Sequence, residues 1–146
     1  VIVVLQRVSA ASVEVEGKTA GAIGPGLCLL VGVEKGDGPD DAARLARKAV
    51  ELRIFGDAEG KMNLPLDRSA QAILAVSQFT LAGSVRKGRR PSFDNAEEPS
   101  RAEALFRTFV QDLRSLGCRV ETGVFRAAMK VRVENDGPVT FVLDSR

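Results

Sequence analysis

Histidine, tryptophan and tyrosine are absent from the chain. Without histidine there is no Ser-His-Asp triad, no Cys-His pair and no His-ligated zinc. The two cysteines, Cys28 and Cys118, lie far apart in apolar segments, so they cannot build a Cys-rich metal site. They read instead as buried small hydrophobes kept reduced in a cytoplasmic setting. No apolar run approaches the roughly 20 residues of a membrane helix. The N-terminus lacks the basic, apolar and small-residue pattern of an export signal. A net charge of +2 is too small to imply a nucleic-acid partner by itself. Any hydrolytic chemistry here must run without the commonest general base, and no cofactor or metal is implied. Val1 stands where a methionine is expected, as either a valine-type start codon read literally or a trimmed chain would give; the first is the preferred expectation, and an N-terminal Met on natively expressed protein would support it.

The 146 residues suit one compact domain, 1–146, with a core that needs no disulfide or structural metal. Residues 1–8 form a β-branched apolar strand, and Ser12 to Glu16 alternates as a second. The chain then returns through Ala20 to Ile23. Leu27 to Val33 is a continuous apolar run, the mark of a strand covered on both faces. Asp37-Gly38-Pro39 opens a first helix whose stripe is Leu45, Ala46, Ala49, Val50 and Leu52. Ala72 to Leu81 reads as a strand, followed by a long loop from Gly83 to Pro99. Ser100 and Glu103 make a capping box for a second helix that ends at Gly117. Cys118 to Phe125, Met129 to Val133 and Val139 to Leu143 read as the last strands. About seven strands against two helices give an α/β domain of three layers (β/β/α), two packed sheets with both helices on one side.

Four segments carry candidate chemistry. Ser77-Gln78-Phe79-Thr80 places three hydrogen-bonding side chains where a core strand ends. Strict alternation puts Ser77 and Phe79 on one face and Gln78 and Thr80 on the other, so Ser77 and Thr80 share a pocket only if the strand bends or ends near Phe79. A strand leaving the core explains the composition; so does an end that offers hydroxyls and backbone N–H groups to an oxyanion. In Asn135 to Thr140, Asp136-Gly137-Pro138 reads as a turn between strands. A cis Gly-Pro bond there would turn its flanking carbonyls to one side, where they could hold an amino group. Arg86, Lys87, Arg89 and Arg90 put four cations on a loop, either solvated or bound to phosphates. Phe93 nearby either stacks on a base or anchors the loop. Gly56 to Asn63 reads as a surface turn.

Read together, these segments make the chain resemble the bacterial D-aminoacyl-tRNA deacylases over essentially its whole length. Other landmarks are Gln6-Arg7-Val8, Ile23-Gly24-Pro25-Gly26-Leu27, Gly60-Lys61-Met62-Asn63-Leu64, Arg90-Pro91-Ser92-Phe93 and Glu121-Thr122-Gly123-Val124-Phe125. The resemblance implies hydrolysis of the ester between a D-amino acid, or mischarged glycine, and the 3′ end of tRNA. It implies a homodimer with active sites at the subunit interface. Ser77 to Thr80 would then surround the ester, with the Phe79 N–H as oxyanion donor and Gln78 supporting it. Gly137-Pro138 would enter from the partner to hold the α-amino group and leave no room for an L side chain, Asn135 and Thr140 flanking it. Met129 and Phe125 would line the pocket, and Arg7 would steady the Gly-Pro segment. The competing readings are a non-catalytic nucleic-acid-binding or tRNA-editing accessory module of the same fold, and a hydrolase of free D-amino-acid esters.

Overall fold

The computed structural model describes residues 1–146. Its elements in chain order are β1 (Ile2–Val15), β2 (Lys18–Ile23), β3 (Gly26–Gly32), α1 (Pro39–Glu51), β4 (Phe55–Gly56), β5 (Met62–Leu64), β6 (Ala72–Ser77), α2 (Pro99–Ser115), β7 (Arg119–Thr122) and β8 (Lys130–Asp144), with a 3-10 turn over Phe79–Ala82. One sheet runs β2-β1-β3-β6-β7, with β8 paired to β1, and β4-β5 is a separate small hairpin. The connections from β3 to β6 and from β6 to β7 join parallel strands, and α1 and α2 supply the crossovers that parallel pairing requires.

The expected three layers are present, and the two sheet layers are halves of one sheet folded over. β1 does the folding. Its first part, Ile2 to Val8, pairs with β3, and Ala11 to Val15 pairs with β2. Against β8 its register shifts between Gln6 and Val8 and again between Val8 and Ala10. Such irregularities bend a strand and let it change layers. Val3 and Leu5 therefore join Leu27, Leu29, Ile73, Phe109 and Leu113 in a core under the helices. Val8, Ala11 and Val13 join Ile23, Cys28, Leu74 and Val76 in a second core between the sheet layers. Strand alternation divides β6 between the two: Ile73 and Ala75 face the helices, Leu74 and Val76 the inner core. The sheet curls far enough that β2 meets β7, where a Cβ on Gly21 would stand 2.6 Å from the Thr122 carbonyl oxygen.

Several local expectations are corrected. The segments expected as separate strands at 1–8 and 12–16, and at 129–133 and 139–143, are continuous as β1 and β8. The strand expected to reach Leu81 stops at Ser77, and the one expected to reach Phe125 stops at Thr122. Ser100 is not the N-cap of α2. Glu98 is, its carboxylate accepting from the Ser100 and Arg101 amides with Pro99 as first helical residue, while Glu103 pairs with Arg107. A carboxylate one residue before proline gives up nothing there, because proline has no N–H to leave unsatisfied. Both cysteines are free and buried, and burial pushes the Cys28 thiol up to about 11. No helix is long and apolar enough to cross a membrane.

Gly26 is the tightest point of the sheet. It has φ +154, and a Cβ would fall 1.8 Å from the Ala72 carbonyl oxygen of the neighbouring strand. Gly26→Ala combines backbone strain with overpacking and is expected to destabilise by on the order of 3 kcal/mol. Urea unfolding of the purified variant would read this, and an unchanged midpoint would contradict it.

Candidate active site

The bend that alternation demands is present. β6 ends at Ser77, Gln78 takes φ −140 and ψ 79, and the 3-10 turn begins at Phe79. Ser77, Gln78 and Phe79 thereby reach one cavity of about 450 Å³. Phe125 and Met129, from the segment between β7 and β8, close the opposite wall. The amides of Phe79 and Thr80 open the turn, where a helix start leaves N–H groups without an intrahelical acceptor. Thr80 is not among the lining residues; its hydroxyl accepts from Gln78 Nε2. The group the alternation argument could not place thus stands behind Gln78 rather than in the cavity.

Phe79 is 60% exposed, unusual for so large an apolar side chain, and its ring packs on Phe93 with centroids 5.1 Å apart. Phe93 thus helps anchor the loop, while its ring stays 40% exposed. Gly83 permits this approach, since a Cβ there would meet the Phe93 ring and the Thr80 carbonyl oxygen at 2.9 Å. Ser84 and Ser92 exchange backbone hydrogen bonds in both directions, pinching off the segment between them. Arg86, Lys87, Arg89 and Arg90 lie in that segment, all exposed and next along the chain to the pocket wall. The segment from Gly56 to Asn63 is a turn built on the Asp57 carboxylate, which accepts from the Glu59 and Lys61 amides and Asn63 Nδ2.

The second motif lies elsewhere. Gly137-Pro138 is a cis peptide in the middle of β8, exposed on the sheet edge that no strand covers. Arg7 is tied to it from β1: Nε donates to the Asp136 carbonyl at 3.1 Å and lies 3.5 Å from the Asp136 carboxylate, while Nη1 donates to the Ile54 carbonyl at 2.6 Å. Asn135 Oδ1 accepts from the Val139 amide, and the Thr140 hydroxyl accepts from Asn135 Nδ2 and Gln6 Nε2. Arg7, Asn135 and Thr140 therefore brace the segment from both sides. Within one chain it does not meet the cavity. Val131 lines the cavity, and Pro138 is seven residues further along β8, on the order of 20 Å of extended strand.

Besides the strand residues Val76 and Val131, the lining includes Ala96, Glu97, Pro99, Ala102, Arg126 and Ala127, none of which carries a motif. The first four come from the start of α2 and the loop before it, brought in by tertiary packing that no local pattern announces. Arg126 and Ala127 had one signal, their position between Phe125 and Met129. Glu97 is held in place, accepting from the Glu98 amide at 2.8 Å and lying 3.8 Å from Arg101.

With the geometry in view, comparison with solved structures defines the class first. This three-layer domain superposes on a chain described as a c-Myc DNA unwinding element binding protein with TM-score 0.93 and 38% identity, covering 100% of this chain and 99% of that one. It shares its fold with a probable eukaryotic D-amino acid tRNA deacylase at TM-score 0.81 and 20% identity, 97% of each chain being covered. Sequence then makes the assignment specific: residues 4–144 match the D-Tyr-tRNA(Tyr) deacylase family, and the chain belongs to it. Curated relatives named D-aminoacyl-tRNA deacylase include one from Persephonella marina, 57% identical with 99% of this chain and 98% of that protein covered. Another, from Geobacter sulfurreducens, is also 57% identical, with 98% and 94% covered.

Proposed function

We propose that this protein hydrolyses the ester of D-aminoacyl-tRNAs, and of glycine mischarged on tRNA, releasing the amino acid and free tRNA. The observation that carries the reading is the cavity at the end of β6, lined by Ser77, Gln78, Phe79, Phe125 and Met129 in a chain of this family. The Phe79 N–H stabilises the oxyanion, Gln78 steadies the turn, and water attacks with help from the ribose 2′-hydroxyl beside the ester. With Thr80 turned toward Gln78 and no histidine to activate it, the protein supplies position and polarity rather than a nucleophile.

Selection against L-amino acids comes from Gly137-Pro138 of a second copy in a cytoplasmic homodimer. Two observations support this reading. The segment is braced yet exposed and out of reach of its own chain's cavity, and β8 around it exposes Phe141 and Val142 at 42% and 67%. Its carbonyls hold the α-amino group and its backbone fills the space an L side chain would need, so rejection is steric. Arg86, Lys87, Arg89 and Arg90 contact tRNA phosphates beside the pocket.

Incubation of purified protein with D-aminoacyl-tRNA and its L counterpart tests the proposal. Turnover of the D ester alone is expected, with light scattering reporting a dimer. Binding of tRNA without turnover would favour the accessory-module reading, for which the likeness to a nucleic-acid-binding protein speaks. Turnover of free D-amino-acid esters at the same rate would favour the ester hydrolase.

A further inference from the structure

Arg126 sits where an arginine is costly. The Ala127 amide donates to the Val124 carbonyl at 3.2 Å, so 124–127 is a turn with Arg126 as its third residue. Its φ is +66, a conformation that such turns ordinarily give to glycine. A left-handed L-residue costs roughly 1–2 kcal/mol, and no side-chain contact offsets it, since the guanidinium makes no hydrogen bond or ion pair within the chain. Arginines of the adjoining helix α2 are occupied: Arg101 lies 3.8 Å from Glu97, and Arg107 pairs with Glu103. Arg126 is exposed and lines the cavity in the same wall as Phe125 and Met129. It is therefore a cation with unused donors, held by a strained turn at the mouth of a largely apolar pocket. Strain of this kind, kept where it adds nothing to the fold, points to a ligand.

The ligand's chemistry follows from the proposed substrate, on which this inference rests. Once the ester is at Ser77 to Phe79, the terminal nucleoside occupies the pocket, and the first anion met on leaving it is the phosphodiester one nucleotide back. We infer that Arg126 grips this phosphate. A guanidinium offers paired donors that match two phosphate oxygens, so it fixes the orientation of the terminal nucleotide as well as its charge. The 86–90 loop reaches phosphates further along the strand; Arg126 reaches the one that determines how the terminal ribose enters.

The test compares D-aminoacyl esters of adenosine and of adenosine 5′-monophosphate, substrates that differ by this one phosphate. For the unmodified protein, kcat/KM is expected to favour the phosphorylated ester by about tenfold, mostly through KM. In Arg126→Gly that preference is expected to fall to near one, and in Arg126→Lys to be kept only in part, since an ammonium keeps the charge but not the paired donors. Glycine suits φ +66, so loss in the glycine variant cannot be assigned to misfolding. With D-aminoacyl-tRNA the slope of log KM against log salt is expected to drop by about one in Arg126→Gly. An equal preference in Arg126→Gly and the unmodified protein would overturn the inference, as would no preference in the unmodified protein. Failure of the unmodified protein to cleave D-aminoacyl-tRNA would overturn the proposed function along with it.

Discussion

A D-aminoacyl-tRNA whose terminal ribose lacks its 2′-hydroxyl is expected to be cleaved about 10²–10⁴-fold more slowly than the natural substrate, the range general acid–base assistance commonly supplies. Thr80→Val is expected to stay within a few-fold of the unmodified protein. The paired result follows from two features of the chain. No histidine is present to deprotonate a hydroxyl, and Thr80 is turned toward Gln78 rather than into the cavity. Under the proposed function the attacking water is activated by the hydroxyl the substrate brings, and this pair of measurements tests that assignment. The small loss in Thr80→Val reflects Gln78, whose side-chain amide loses its acceptor and orients less firmly. Single-turnover rates with the two tRNAs decide the matter. A dead Thr80→Val enzyme, with an acyl group trapped on Thr80 of the unmodified protein, would replace water attack by covalent catalysis.

The second large effect is expected at Gly137. Its φ is +129, and a Cβ would stand 2.7 Å from Val139 Cγ2 and 3.1 Å from Arg7 Nη2. Gly137→Ala must then distort the segment or displace the guanidinium that holds it, with a backbone cost of about 1–3 kcal/mol. Because the segment is exposed and at a sheet edge, the fold is expected to survive. Turnover of D-aminoacyl-tRNA is expected to fall by roughly 5- to 150-fold, the factor to which that energy corresponds. Arg7→Lys is expected to lie between, because an ammonium cannot bond the Asp136 and Ile54 carbonyls in the same fork. Steady-state rates with D and L substrates, beside thermal melts, separate the local effect from unfolding. A folded Gly137→Ala protein with normal rate and normal rejection of L-substrates would remove the segment from the site.

The sequence made some of this legible and hid the rest for identifiable reasons. Leu27 to Val33 is apolar at every position except Gly32 and forms a strand covered on both sides, because nothing but burial explains that run. The helices are visible in their stripes. The start of α2 was misread because Ser100 and Glu103 fit a capping box equally well in sequence, and only the position of Glu98 ahead of Pro99 decides between them. Asp136-Gly137-Pro138 has the composition of a turn, yet β8 runs through it. A proline breaks a central ladder, but this one stands where no neighbouring strand needs its N–H. The continuity of β1 was hidden because its apolar faces change sides at the register shifts, which periodicity reads as an interruption. The candidate site is legible in the sequence as two motifs. Their separation within one chain, and the presence of Glu97 and Arg126 in the pocket wall, belong to the tertiary arrangement alone.

The segment between Ser84 and Ser92 has a consequence for how such a protein changes over generations. It is closed by one reciprocal pair of backbone hydrogen bonds and latched by the ring of Phe93 on Phe79, and it gives no side chain to either core. Substitutions between the two serines therefore carry almost no penalty in folding, and if the proposed phosphate contacts are made there, they change affinity for tRNA alone. The walls of the cavity lack that freedom, since Val76 belongs to the inner core and Ala102 to the core under the helices. The exposed segment can drift while the cavity stays fixed, because the two lie on parts of the chain with different tolerance for substitution.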